Sequence, residues 1–203
     1  MHQKIAQIKE FNAINNQQLT PAAYHLKLSE VKKIIHSTTC FRDRCLIEAL
    51  FWAGLHREEA IKLDIRDIDF ERKRIKVIGK GDKTRIVPII NDEFLNDLKH
   101  LINKKEQGFV FCYGNKKGLK LRIINKIVQQ AGERAGISNP NPARKHINPH
   151  LFRHSISRYL KNKRFSTEFI QNFLGHAFFK TTMDMYGKMS IDEMQAEAEN
   201  RLQ

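Results

Sequence analysis

Hydrophobic and polar positions along the chain predict a mainly helical fold that is interrupted by one short hairpin. Residues 41–54 carry apolar side chains around most of a helical circumference, which predicts a deeply buried helix closed by Gly54. A shorter amphipathic helix is predicted over residues 30–35, with Ser29 as its N-cap, and another over residues 57–63. These segments supply the first half of a helical core.

The pattern changes to period two after the third predicted helix. Residues 74–78 alternate apolar and polar side chains, residues 79–83 have the composition of a turn, and residues 84–89 form a second strand. Pro88 favours an edge position because proline cannot donate a ladder hydrogen bond. The sequence therefore predicts a hairpin, or two strands of a three-stranded sheet.

The remainder of the chain is predicted to be mostly helical. Its segments are a helix from the cap Asn91 to about 103, a short apolar stretch at 109–113, a helix over 120–135 stopped by Gly136, an Asn/Pro-rich loop at 138–149, and helices near 150–162, 166–174 and 180–186. A capping box at residues 190–193 starts a final helix with one apolar stripe. This apolar stripe can pack equally well against the same domain or against a neighbouring protomer.

Three regions follow from this pattern. Residues 1–24 are polar and amide-rich and are predicted to be an N-terminal arm or linker, such as the tail of a missing domain. Residues 25–188 are predicted to be one globular domain, and residues 189–203 the C-terminal helix. A chain of 203 residues suits one such domain.

The excess of basic residues in the composition indicates which class of molecule the protein binds. The chain has 36 Lys and Arg against 22 Asp and Glu, a formal charge of +14, and a pI near 9.8. Such a balance favours a polyanion, most often nucleic acid, although a merely solvated basic surface has the same composition. No apolar stretch approaches the roughly 20 residues that cross a bilayer. With three cysteines, no CxxC pair and no secretory signal, a cytoplasmic location without a disulfide framework or zinc knuckle is expected.

Candidate chemistry is concentrated in the last third of the chain and at the hairpin tip. His150 and Arg153 are three residues apart, so on a helix they share a face and can converge on one anion. His176 follows a predicted helix, Tyr186 comes ten residues later, and Lys80 lies at the hairpin tip. This set suits transfer at a phosphodiester. Arginine and histidine stabilise charge on the phosphate oxygens, a tyrosine attacks, and a lysine protonates the leaving oxygen.

Four motifs carry a resemblance to a known family: ALFWAGLHREEAIKLDIRDID, VIGKGDKTRIVPI, NPHLFRHSISRYL and FLGHAFFKTTMDMYG. In this order and spacing they resemble the catalytic domain of the tyrosine recombinases, the phage-integrase and Xer-like family. The resemblance implies an α+β fold that is mainly helical, with a small antiparallel sheet on one edge. It also implies double-stranded DNA as the partner, assembly into a tetramer on paired sites, and no metal or cofactor.

The resemblance implies a role for each matching residue. Lys80 is the hairpin lysine and general acid, and His150 and Arg153 are the His-x-x-Arg pair, with Arg153 clamping the scissile phosphate. His176 is the histidine of the third motif, and Tyr186 is the nucleophile that forms a 3′-phosphotyrosine. By the same resemblance, Glu59 has an orienting or structural role and His154 a supporting one.

One position departs from the family pattern. The first motif of the family reads Gly-Leu-Arg, and its arginine is the other phosphate clamp, whereas this chain has Gly54-Leu55-His56 followed by Arg57. Three hypotheses stay open. The His56 imidazole replaces the guanidinium at a cost in rate; Arg57 swings into the site, although a shift of one residue on a helix turns a side chain by about 100°; or the protein binds DNA without cutting it.

Two other enzyme classes fit the sequence less well than a recombinase. A type IB topoisomerase shares the phosphotyrosine chemistry and would relax supercoils without paired sites, but the motif text favours a recombinase. A metal-dependent nuclease fits poorly, because Asp64, Asp67 and Asp69 have the pattern of solvated turn carboxylates.

Overall fold

A computed structural model of the protein describes residues 24–79, 81, 83–113 and 117–175, and this part of the chain is mainly helical. Its helices are α1 (Leu28–His36), α2 (Phe41–Trp52), α3 (Arg57–Ala60), α4 (Asp92–Ile102), α5 (Leu121–Ala135), α6 (Pro149–Asn162) and α7 (Thr167–Leu174), with a 3-10 turn at Ile65–Asp67. The α+β, mainly helical class predicted from the sequence is confirmed.

The predicted hairpin is part of a three-stranded antiparallel sheet. Its strands are β1 (Ile68–Asp69), β2 (Arg74–Ile78) and β3 (Thr84–Pro88), in the order β1-β2-β3. Strand β3 is therefore an edge strand, as Pro88 predicted. A second small sheet pairs β4 (Cys112–Tyr113) with β5 (Lys117–Gly118) and was not predicted, because strands of two residues carry no readable period.

Helix α2 is the centre of the hydrophobic core. Every residue from Cys45 to Trp52 is buried, which matches its apolar circumference. It packs against α4 and α6, while α1 packs against α5 and α7 lies against β3. Burial on all sides makes α2 a fixed scaffold for the segment that follows it, which begins at Gly54.

Several predicted helix ends are confirmed by their caps. The Asn91 side chain accepts the backbone N–H of Phe94 at 2.7 Å and starts α4. Gly136 ends α5 in the left-handed conformation, with φ of 62°. These ends were readable because each depends on one residue with a strong positional preference.

Two predicted helix boundaries were wrong. Helix α1 is capped by Lys27 rather than Ser29, because the Glu30 carboxylate accepts the backbone N–H of Lys27 at 2.7 Å. The helix predicted over 57–63 ends at Ala60. The Leu63 carbonyl accepts the backbone N–H of Val110 at 2.9 Å, so a distant segment draws this backbone out of the helix.

Some predictions fall outside the described residues. These are the helix near 180–186, the C-terminal helix at 189–203, and residues 1–23 of the arm. Among the helices of the described part, none is both long and apolar enough to span a membrane.

Candidate active site

Four of the predicted site residues line one open cleft of about 710 Å³: His56, Arg57, His150 and Arg153. The other three, Lys80, His176 and Tyr186, lie outside the described residues. Their immediate neighbours Gly79 and Gly175 are described, so the structure fixes where two of these three segments begin.

The start of α6 positions two of the cleft residues. Asn148 caps this helix by accepting the backbone N–H of Leu151 at 3.2 Å, and Pro149 occupies its first turn. His150 and Arg153 then follow on the first turns and both line the cleft, although at different depths. His150 is exposed, whereas Arg153 is only 1% exposed and forms the floor.

The Arg153 guanidinium ties together two backbone segments. Nη1 donates to the carbonyl of Gly54 and Nη2 donates to the carbonyl of Leu174. Nε is buried and has no hydrogen-bond partner among the described residues. Burial, reinforced by the charge of Arg85, lowers the pKa of Arg153 to about 9. Arg153 therefore remains a cation at neutral pH. It is held beneath the cleft by the carbonyls of Gly54 and Leu174, which precede His56 and His176 by two residues each.

His56 lies in extended backbone immediately before α3, with φ of −69° and ψ of 152°. Its ring is stacked on that of His150, with centroids 5.9 Å apart and planes 15° apart. Burial and the charge of Arg153, opposed by Glu59, lower the pKa of His56 to about 4. The position that holds a permanent cation in the family pattern thus holds a neutral imidazole in the free protein.

Arg57 is the first residue of α3 and lies on the α5 side of the cleft. Its Nε contacts Glu58 Oε1 at 2.8 Å and its Nη1 donates to Asn125 Oδ1 at 3.2 Å. Because His56 precedes the helix in extended backbone, the turn of about 100° between neighbouring helical residues does not separate it from Arg57. Arg57 faces the cleft, but in this structure its guanidinium is bound to Glu58 and Asn125.

His154 adds a third imidazole behind the first two. Its ring is perpendicular to that of His150, with centroids 4.4 Å apart. Burial, followed by the influence of His150 and Arg153, lowers the pKa of His154 to about 4. Partial desolvation in the cleft and the charge of Arg153 also lower the pKa of His150. The three rings are therefore neutral at pH 7 in the free protein.

A buried ion pair lies beside this cluster, and the sequence indicated only one of its members. Glu59 accepts Arg85 Nη1 at 2.5 Å and Nη2 at 2.9 Å, and its side chain is 6% exposed. Arg85 was not identified as a site residue. The sequence signal for Arg85 is its position in β3. Arg85 pairs with the buried Val77 and lies two residues before the buried Val87, so its side chain is on the inward face of the strand.

The outer wall of the cleft is rich in amides and cations. Asn125 and Gln129 come from α5, while Asn139, Arg144 and Lys145 come from the loop before α6. Guanidinium, ammonium and amide groups are the donors that proteins use to contact phosphate and sugar oxygens. The lining therefore suits an extended anionic ligand.

A second group of titratable side chains lies in the core between α2 and α4. Ligand atoms of Cys45, Glu48 and Asp97 lie within 4.8 Å of one another, and Arg44 forms an ion pair with Asp97. Burial, with the adjacent Asp97 charge, raises the pKa of Glu48 to about 8. A protonated Glu48 beside an arginine-paired Asp97 accounts for these contacts, and the Arg44 charge opposes a metal cation there.

Comparison with known proteins agrees with this geometry. The sequence profile of the phage integrase family matches residues 25–191. The tyrosine recombinase XerD of Listeria innocua is 30% identical over 170 residues, covering 77% of this chain and 55% of that protein. The chain thus spans about half the length of this curated relative.

Solved structures give the same result. The XerA recombinase superposes with a TM-score of 0.73 at 25% identity, over 87% of this chain and 64% of that one. The XerH site-specific recombinase, solved bound to its difH substrate before cleavage, superposes with a TM-score of 0.67 at 26% identity, over 86% and 51%. The chain belongs to the phage integrase family, and its described part has the fold of a tyrosine recombinase catalytic domain.

Proposed function

We propose that this chain is the catalytic domain of a site-specific DNA recombinase that cleaves and rejoins double-stranded DNA through a 3′-phosphotyrosine at Tyr186. The observation that carries the proposal is the convergence of His56, His150 and buried Arg153 on one cleft walled by amides and cations. Family membership supports the same reaction class.

The proposed reaction exchanges one phosphodiester for another. The Tyr186 hydroxyl gives its proton to a neutral imidazole of the cleft while its oxygen attacks phosphorus. A bond forms to the 3′-phosphate as the bond to the 5′-oxygen breaks. Lys80 protonates that 5′-oxygen, and Arg153, with His150 and His176, stabilises charge on the non-bridging oxygens. Attack by a 5′-hydroxyl on the phosphotyrosine reverses the step, so neither ATP nor a metal is required.

Charge supports DNA as the partner. The formal charge of +14 favours association with a polyanion and makes that association sensitive to salt. XerH, which shares 26% identity, was solved with its difH DNA substrate. We propose that this chain binds double-stranded DNA, assembles into a tetramer on paired sites, and acts in the cytoplasm at the nucleoid.

A second function is favoured by His56 alone. A neutral imidazole offers one donor where a guanidinium offers a charged fork, so the phosphate would meet one permanent clamp, Arg153. The second candidate is therefore a DNA-binding protein of this family in which cleavage is strongly impaired. The two functions share the fold and the DNA partner and differ only in the rate of strand cleavage.

Covalent trapping separates the two functions. The protein is mixed with fragmented DNA from its own source in EDTA, quenched with SDS, and the attached DNA is sequenced against Tyr186→Phe as background. Recombinase function predicts adducts at a discrete sequence that require Tyr186. Salt-sensitive binding without any such adduct would contradict the recombinase and support the DNA-binding function.

A further inference from the structure

The Glu59–Arg85 ion pair lies where the backbones of three motif segments meet. Its first contact is with the segment of His56, whose backbone N–H donates to Glu59 Oε2 at 2.8 Å. The carboxylate thereby fixes the extended residue whose ring lines the cleft. The same oxygen accepts Arg85 Nη2 at 2.9 Å, so the arginine orients the carboxylate that orients His56.

The second contact is with the turn that ends α7. Arg85 Nε donates to the carbonyl of Phe173 at 3.1 Å. A Cβ added at Gly175 would lie 2.7 Å from Cδ of Arg85, so the arginine stem packs directly against this turn. Gly175 is the last described residue before His176. Its turn is held by Arg85 on one side and by Arg153, bound to Leu174, on the other.

The third contact is with the hairpin. A Cβ added at Gly79 would lie 3.4 Å from Oε1 of Glu59, so the carboxylate packs against this backbone. The Gly79 N–H donates to the carbonyl of Lys83 at 2.8 Å and closes the hairpin at this point. Gly79 is the last described residue before Lys80, so the pair also contacts the backbone that leads to this lysine.

Electrostatics make the pair a rigid unit. Glu59 and Arg85 side chains are 6% and 13% exposed, so water screens them little. Burial alone raises the pKa of Glu59, but the hydrogen bonds and charge of Arg85 outweigh it, and the net pKa is lowered. A planar guanidinium holds both carboxylate oxygens at once, which a lysine ammonium cannot do.

We propose that Glu59 and Arg85 are a positioning pair that holds His56, and the backbone leading to Lys80 and to His176, in the arrangement that cleavage requires. Neither side chain needs to touch DNA; each acts through the backbone it holds. This inference rests on the proposed cleavage reaction and adds to it a residue, Arg85, that acts on three catalytic segments together.

The test uses Arg85→Lys, which keeps the positive charge but removes the planar guanidinium that binds both Glu59 oxygens. The matched control is Arg66→Lys, because Arg66 contacts Asp64 through Nε and Nη2 at 2.8 and 3.1 Å on the surface. Single-turnover cleavage of a suicide substrate is measured beside DNA affinity and melting temperature. Arg85→Lys is expected to lower the cleavage rate by at least about 10-fold, the size of effect that one lost positioning contact produces. Its DNA affinity should stay within about 2-fold of the wild type. The Arg66→Lys control should cleave at the wild-type rate.

A substrate with sulfur at the 5′ bridging position isolates the Lys80 segment. A thiolate leaves without protonation because its pKa is near 8.5, far below that of an alcohol. If the pair positions Lys80, the defect of Arg85→Lys becomes smaller on this substrate. An unchanged defect, or a rate loss that follows only the melting temperature, would overturn the proposal.

A second variant covers the case in which Arg85→Lys does not fold. Glu59→Gln retains one acceptor for the His56 N–H and loses the charge of the pair. It is expected to give the same rate loss with retained DNA affinity, and wild-type cleavage by this variant would overturn the inference. Absence of Tyr186-dependent cleavage in the wild-type protein would instead contradict the proposed function.

Discussion

The rings of His56 and His150 are stacked across the candidate cleft, 5.9 Å apart and 15° from parallel. Because burial and the charge of Arg153 lower the pKa of both rings, this stack is uncharged at pH 7 in the free protein. Replacing His56 by arginine restores a permanent cation. We expect His56→Arg to raise the single-turnover cleavage rate by about 10²-fold, the size of effect that one charged or oxyanion-type donor produces.

The comparison for this variant is Arg57→Lys, measured on the same suicide substrate. If His56 occupies the clamp position, Arg57→Lys changes the rate little, because Arg57 is bound to Glu58 and Asn125. A rate for His56→Arg equal to the wild type, together with a large loss for Arg57→Lys, would assign the clamp to Arg57 instead.

Stability should decrease in acid because of the half-buried imidazoles. The pKa of His154 in the folded protein is about 4, below its usual 6.5, so the unfolded chain binds more protons between these values. The histidine contribution to the free energy of unfolding is complete above pH 6.5 and is lost as pH falls towards 4. Between pH 7 and 4.5, chemical denaturation should show that His154→Gln loses less unfolding free energy than the wild type, by on the order of 2 kcal/mol. Parallel curves for the variant and the wild type would refute this assignment.

Glu48 should act in the opposite direction. Its pKa is raised to about 8 in the folded protein, so the folded state binds the extra proton above the ordinary glutamate value. Its contribution is complete at pH 4.5 and below, and is lost as pH rises through 8. Glu48→Gln keeps an amide that can donate to Asp97 and is expected to be more stable than the wild type at pH 9 by on the order of 1–3 kcal/mol. Equal stability of the two proteins at pH 9 in denaturant titrations would contradict it.

Gly175 is required for two separate reasons, which a matched pair of variants can distinguish. Gly175 has φ of 71°, and a Cβ there would lie 2.7 Å from Arg85, whereas Gly136 has φ of 62° with no atom within 4 Å of a Cβ. Gly136→Ala should cost about 1 kcal/mol from backbone strain alone. Gly175→Ala should cost about 1–3 kcal/mol more, because it also overpacks the turn. The free energy of unfolding is measured for both variants. An equal loss of stability in the two would show that the Arg85 side chain moves aside without cost when a Cβ is added at Gly175.

Much of the fold was predictable because single residues decide it. The period-two pattern gave β2 and β3, Asn91 and Gly136 gave helix ends, and Pro88 indicated an edge strand. The ends of α1 and α3 were mispredicted because they depend on the Glu30 side chain and on the distant Val110 backbone. Such pairings across space leave no local signal.

The candidate site was predictable to a similar extent. The spacing of His150 and Arg153 predicted that both would line one cleft, but not that Arg153 would be buried and bound to backbone carbonyls. Arg85 was missed because an arginine in a short strand usually faces solvent. Only the joint pattern with Val87, two residues later on the same face, marks it as inward.

The most direct test of the central claim is to identify the atom that carries the DNA. Protein trapped in EDTA is digested with nuclease after Mg²⁺ is added, and then with trypsin. The peptide that contains Tyr186 is analysed by mass spectrometry. We expect a nucleotide attached to the Tyr186 oxygen through its 3′-phosphate, and no such adduct in Tyr186→Phe. Adduct on another residue, or adduct that persists in Tyr186→Phe, would contradict it.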